Sequence, residues 1–351
     1  MTKVVFAIPG DINTQSGGYL YDRRLISELT ARGVETLTLS LGDSFPFPSE
    51  DHLDEAAEKL GAVTADSLLM IDGLAFGALQ TIQVKKINAP IIAMVHHPLA
   101  EETGLDDATK AELYQREKAN LSFASAVIVT SNYTASVLQT KYSVPATSIT
   151  VAPPGHVALS LKNKPQSPPL ILSVGIQVYR KGHDVLIRAL AKIQDLDWQA
   201  VIAGAELDNK YADQLRGLVD ELGLSSRVEL AGFVSAERVG ELYEKATIFA
   251  LATRFEGYGI VFNEALSHAL PIVSCKVGAV AETLGEAGAI VEPDDPQKFA
   301  LELRALLVDT DELSRQQKRS RAQASKLPSW SESFSKIVHL LTNLSAASRL
   351  G

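Results

Sequence analysis

A chain of 351 residues, 46% hydrophobic and 21% charged, is long enough for about two globular domains and too apolar for a disordered tail. Its 42 acidic against 33 basic side chains leave a net charge of −9, which argues against a polyanion-coating protein and gives no support for nucleic-acid binding. A single cysteine, Cys275, excludes disulfides within the chain and points to a reducing compartment, with the cytoplasm as the default address.

The first apolar run, 4–8 (VVFAI), is shorter than a signal-peptide core and reads as a buried strand. β-branched runs recur at 35–40, 67–71, 91–95 and 126–130, each followed by an amphipathic helical pattern. Such alternation predicts crossover units and a parallel sheet covered on both faces. The stretch 151–170 is rich in Pro, Ser and Lys, has no sustained period, and marks a connection between domains. Alternation restarts at 170–175, 199–204, 227–232, 247–253 and 271–275. Pro328, Trp330 and Phe334, followed by KIVHLL, predict a last helix that packs on the protein, with a return to the first domain as one trajectory. The expected fold is α/β: doubly wound, Rossmann-like domains at 1–160 and 168–328, facing across a cleft, and a terminal helix at 329–351. Ligands of open parallel sheets collect beyond the carboxyl ends of the strands, so the residues just after each strand carry the chemistry.

Four segments stand at such ends. Gly17 and Gly18 precede a helical run after the first strand, where backbone approaches a ligand closely and free helix amides favour an anion; a plain flexible turn is the alternative. His96 and His97 end the fourth strand; adjacent residues point to opposite faces, and His96 is taken as the one facing a ligand. Arg180 and Lys181, ahead of Gly182 at a helix start, place cations where the helix dipole disfavours them, which an anionic ligand would explain. In 252–275, Glu256 lies in a loop with Gly257, Tyr258 and Gly259 before a helix starting near Ile260, with Glu264 early in it. The amides of Tyr258, Gly259 and Ile260 suit a phosphate or sugar, and the carboxylates suit hydroxyls. Glu264 taken alone also suits a helix-dipole role. As a loop carboxylate, Glu256 is expected to matter little to the core.

Together these segments resemble the retaining nucleotide-sugar glycosyltransferases of family 4, which have the two-domain GT-B fold. EGYGIVFNEALSHALPIV is similar to that family's paired-glutamate motif, SVGIQVYRKGHDVLI to its diphosphate motif, and VAPPG to its interdomain turn. The resemblance implies a donor, a nucleoside-diphosphate sugar, held by the C-terminal half, and a sugar or lipid acceptor held by the N-terminal half. Glu256 would contact the transferred sugar, Glu264 the ribose, and Arg180 and Lys181 the diphosphate. The backbone from Gly257 to Ile260 would lie along diphosphate and sugar, with Gly17, Gly18 and His96 at the reacting centre. No metal and no other cofactor is implied, and contact with a membrane would be peripheral. One departure is Ile176 after Gly175, where many members carry arginine; it keeps a nucleotide-sugar-binding relative without turnover as the alternative. The Asp195/Asp197 and Asp309/Asp311 pairs, which could suggest metal ligation, read as solvated turns.

Overall fold

The computed structural model describes residues 3–156 and 164–347. Two compact units divide the chain: Met1–Gly155 together with Pro328–Gly351, and His156–Leu327. The handovers thus fall at 155/156 and 327/328, a few residues from the positions expected at 160 and 328. Part of the anticipated connection, 157–163, lies outside the described residues.

The first unit is built on six parallel strands: β1 (Lys3–Pro9), β2 (Glu35–Leu41), β3 (Leu68–Asp72), β4 (Ile91–Val95), β5 (Ala126–Val129) and β6 (Ile149–Val151). Their order is β2-β1-β3-β4-β5-β6, so the chain reverses direction across the sheet between β1 and β3. Every residue of β3 and β4 is buried, as continuous apolar runs covered on both faces require, whereas edge strand β2 leaves Leu37 half exposed. Strand β6 has three residues, too few to show a period in sequence. The helix Trp330–Ala347 completes this unit. It lays Phe334 edge-on to Tyr21 at 5.2 Å and Trp330 at 5.9 Å, while the Tyr21 hydroxyl donates to the Ala152 carbonyl at 2.8 Å. Gly155 must be glycine there, because a Cβ would stand 2.2 Å from the Trp330 nitrogen.

The second unit repeats the plan with β7 (Leu170–Val174), β8 (Gln199–Ala203), β9 (Val228–Gly232), β10 (Ile248–Leu251), β11 (Ile272–Cys275) and β12 (Ala289–Val291). All pair in parallel, in the order β12-β11-β10-β7-β8-β9, with the reversal between β7 and β10. Alternate side chains go to opposite faces. Ile171, Ile248 and Ala250 join Trp198, Leu215 and Phe299, while Leu172, Phe249 and Leu251 join Tyr243, Phe262 and Leu266. Cys275 sits in the first of these clusters, and burial pushes its thiol up to about 12, so it packs as a small apolar group. No described helix is long and apolar enough to cross a membrane.

Candidate functional site

Chemistry-bearing residues gather in each unit where the strand order reverses, and each group is built by the elements flanking that point. In the first unit, Ser16 caps the helix Gly17–Ala31, its hydroxyl accepting the Tyr19 amide at 3.4 Å. Gly17 and Gly18 open the helix. A Cβ on Gly18 would sit 3.4 Å from the His96 ring, in van der Waals contact, so this helix start packs directly on the imidazole. Asp22, one turn after Gly18 and therefore on the same face, is fully buried with Oδ1 3.1 Å from His96 Nε2. Asp72, the last residue of β3, accepts the Leu74 amide at 2.9 Å through Oδ1 and sets Oδ2 3.5 Å from the same Nε2. Tyr21 meets the imidazole edge-on at 5.5 Å.

Electrostatics follow from that crowding. Burial pushes the Asp72 carboxyl up to about 7, helped by the Asp22 charge and opposed by His96. Burial alone would lower His96; the Asp22 carboxylate, and then Asp72, outweigh it and raise the ring above its ordinary value. The neighbouring histidine diverges, with His97 Nε2 3.3 Å from Glu102. Asp22 and Asp72 escape a motif-by-motif reading. Their signals were Asp72 directly after an apolar strand and Asp22 four residues after a helix-opening glycine.

The second unit stitches the loop after β7 to the loop after β10. Arg180 and Lys181 lie in a tight turn, Tyr179–Lys181, ahead of Gly182, and not in the first turn of the following helix, His183–Leu190. Gly182 adopts φ 64°, and a Cβ would fall 1.9 Å from the Ala252 carbonyl, so only glycine passes that close to the end of β10. The Arg254 amide donates to the Arg180 carbonyl at 2.7 Å, and the Thr253 hydroxyl lies 3.1 Å from that carbonyl and 3.0 Å from that of Phe255. Buried His183 keeps Nε2 3.2 Å from the Gly175 carbonyl; burial lowers it to about 4, so it is a neutral strut for the loop bearing Ile176.

These contacts bring Lys181 Nζ to 2.5 Å from Glu256 Oε1, with Arg180 3.8 Å from Oε2 and donating to the Phe255 carbonyl at 3.1 Å. Glu256 is only 4% exposed, and its own carbonyl accepts the Ala279 amide at 2.9 Å. The expectation that this carboxylate matters little to the core is therefore corrected: it is the anionic half of a buried ion pair. Burial raises its carboxyl, but Lys181 and then Arg180 outweigh that and hold it below the usual range.

Gly257 and Tyr258 follow, and Gly259 at φ 86° caps the helix Ile260–Ser267. The Tyr258 side chain turns inward, donating to Asn263 at 3.1 Å. Glu264 lies beyond the first turn, half-buried against the Tyr243 phenol, which removes the helix-dipole explanation for it. The remaining acidic pairs are structural: Asp195 binds Arg304 at 2.5 Å, and Asp309 caps the helix Thr310–Ala324 through the amides of Asp311 and Glu312.

Residues 160–323 match the family model of glycosyl transferases group 1. The second unit belongs to that family. Over 320 residues the chain is 25% identical to an MMP alpha-(1->4)-mannosyltransferase of Mycolicibacterium hassiacum, covering 86% of this chain and 76% of that one. Several other curated glycosyltransferases are matched over only 36 to 40% of their own length. Among solved structures, sucrose-phosphate synthase from Thermosynechococcus elongatus superposes with a TM-score of 0.82 at 21% identity, covering 99% of this chain and 100% of that one. Anabaena Alr3699/HepE in complex with UDP-glucose gives 0.76 at 17%, covering 98% and 100%. The whole chain accordingly has the GT-B glycosyltransferase fold. Within the group 1 unit, Arg180, Lys181 and Glu256 flank the strand-order reversal between β7 and β10, the position where open α/β sheets take ligands.

Proposed function

We propose that the protein is a retaining glycosyltransferase that moves a hexose or hexuronic acid from a nucleoside-diphosphate sugar to an acceptor hydroxyl, without a metal. The observation that carries this reading is the Lys181–Glu256 pair with Arg180 beside it, at the reversal point of a group 1 unit. Two cations set there hold a diphosphate and offset the charge that grows on it as it leaves. Glu256 keeps a fixed charge that accepts hydrogen bonds from sugar hydroxyls, and the opening amides of the helix Ile260–Ser267 add dipole stabilisation. Glu264 reaches the ribose. The UDP-glucose bound by Alr3699/HepE supports a nucleotide-sugar donor, and the mannosyltransferase relative supports hexosyl transfer.

Acceptor binding falls to the first unit. An open groove of about 620 Å³ at the carboxyl ends of β1 and β2 has a mixed lining, in which Asp11, Ser40, Asp43 and His52 offer partners for sugar hydroxyls beside apolar Ile8, Ile12, Leu39 and Leu41. A glycan, a lipopolysaccharide precursor or a glycolipid each presents such hydroxyls.

Calorimetry with a panel of nucleoside diphosphates and their sugars, in chelator, tests the donor assignment. Selective binding of one nucleotide sugar is expected, with sugar release into product when the acceptor is added. No binding, or binding only with added divalent metal, overturns the reading. Binding without turnover favours the alternative suggested by Ile176, a nucleotide-sugar-binding protein.

A further inference from the structure

Two buried carboxylates meet one nitrogen of one imidazole in the first unit, and none of the family motifs read in the sequence accounts for either carboxylate. Asp22 Oδ1 stands 3.1 Å from His96 Nε2 and Asp72 Oδ2 stands 3.5 Å from it. The second Asp22 oxygen is buried and has no hydrogen-bond partner among the described residues. Among the described residues, all polar contacts of the ring run through Nε2, and the side chain is 19% exposed. A hydrogen on Nε2 is therefore fixed by Asp22, and Nδ1 is the nitrogen left for a ligand. At 3.1 Å the Asp22–His96 contact is an ordinary N–H···O hydrogen bond, longer than a shared proton requires.

We propose that Asp22 is a positioning residue that holds His96 as an imidazolium, its Nδ1–H serving as a charged hydrogen-bond donor to a substrate oxygen, with Asp72 as the secondary counter-charge. No bond is made or broken in this role: Nε2–H donates to Asp22, and Nδ1–H donates to a substrate hydroxyl oxygen. The titratable groups facing the ring are Asp22 and Tyr21 from the helix Gly17–Ala31 and Asp72 from β3, with Tyr19 beyond them. Gly18 packs against the same ring edge, where an added Cβ would stand 3.4 Å from Cδ2 and 3.6 Å from Nε2. The substrate part of this inference rests on the glycosyltransferase reading; the charge-holding part does not.

The test is histidine-selective isotope labelling of the full chain, which has seven histidines, with His96→Gln to assign the His96 signal. In wild type the His96 ring is expected to titrate above its ordinary value. Asp22→Asn keeps shape and an acceptor but removes the charge, so the midpoint should fall by about 1 to 3 pH units. In sugar transfer the same variant should lower kcat about tenfold or more at neutral pH, move the alkaline limb of the pH profile toward acid by the same interval, and leave the donor KM unchanged. Asp22→Glu should restore part of the midpoint shift, and Asp22→Asn on a His96→Gln background should cost nothing further. An unmoved midpoint in Asp22→Asn overturns the charge-holding role, and a moved midpoint with unmoved kinetics overturns the substrate role. One Mn2+ or Zn2+ bound per chain, lost in Asp22→Asn, overturns it in favour of a cation site. If no nucleotide sugar is turned over at all, the function proposed above fails while the shifted midpoint still supports Asp22 as the holder of the imidazolium.

Discussion

Replacing Glu256 by alanine takes the carboxylate away from a Lys181 ammonium 2.5 Å distant and only 9% exposed. Removing one member of a buried ion pair costs about 3 to 5 kcal/mol, because the remaining charge stays in a medium that solvates it poorly. A domain is stable by about 5 to 15 kcal/mol, so this is a large share. With a urea dependence of about 2 kcal/mol per molar, the unfolding midpoint should drop by about 2 M. The assay is urea unfolding read by tryptophan fluorescence. Trp198 is fully buried in the second unit and Trp330 belongs to the first, so a Trp330→Phe background makes the signal that of the second unit. Glu256→Gln, which keeps an acceptor, should fall between wild type and alanine. The pair Lys181→Met with Glu256→Leu should regain most of the loss, since both charges are then replaced by apolar groups. Because the folded carboxyl is held below its ordinary 4.5, its contribution is present above that value and lost as pH falls through the lower folded one. An unchanged midpoint for Glu256→Ala, or a double variant no better than the single, would refute the reasoning.

Asp72→Asn acts in the opposite sense. With the folded carboxyl pushed up to about 7 from 3.8, the wild-type fold loses stability as pH rises between those values, and asparagine keeps the capping contact to Leu74 without the charge. Its melting temperature should exceed that of wild type at pH 8, with the gain vanishing below pH 4; a variant less stable at pH 8 contradicts the assignment. Phe334→Ala empties a fully buried site against Tyr21 and should cost about 3 to 5 kcal/mol in the first unit, read by Trp330 fluorescence. An unaltered midpoint would mean that the helix Trp330–Ala347 does not belong to that unit.

Ten of the twelve described strands were legible because a parallel strand buried on both faces is a short β-branched run between helical periods, as in Ile91–Val95. Strands β6 and β12, with three residues each, carry too little pattern to stand out. Glycine was informative where backbone had to pass closely, as at Gly182. Side-chain pairing was not legible. Lys181 and Glu256 are 75 positions apart, and His96 and Asp22 are 74 apart. Nothing local in either segment records that β7 neighbours β10, or that β1 neighbours β3. Burial of Glu256 follows from that adjacency together with the Ala279 contact, which is why a loop glutamate expected to matter little to the core is enclosed.

The return of the helix Trp330–Ala347 to the first unit sets an order of manufacture. As the chain leaves the ribosome, residues 3–155 emerge with all six strands of their sheet, yet the Tyr21 ring has no Trp330 or Phe334 to cover it until residues 156–327 have also been made. The unit that begins first is closed last, so a nascent chain stalled anywhere in the second unit carries an uncovered aromatic seat for a chaperone to shield.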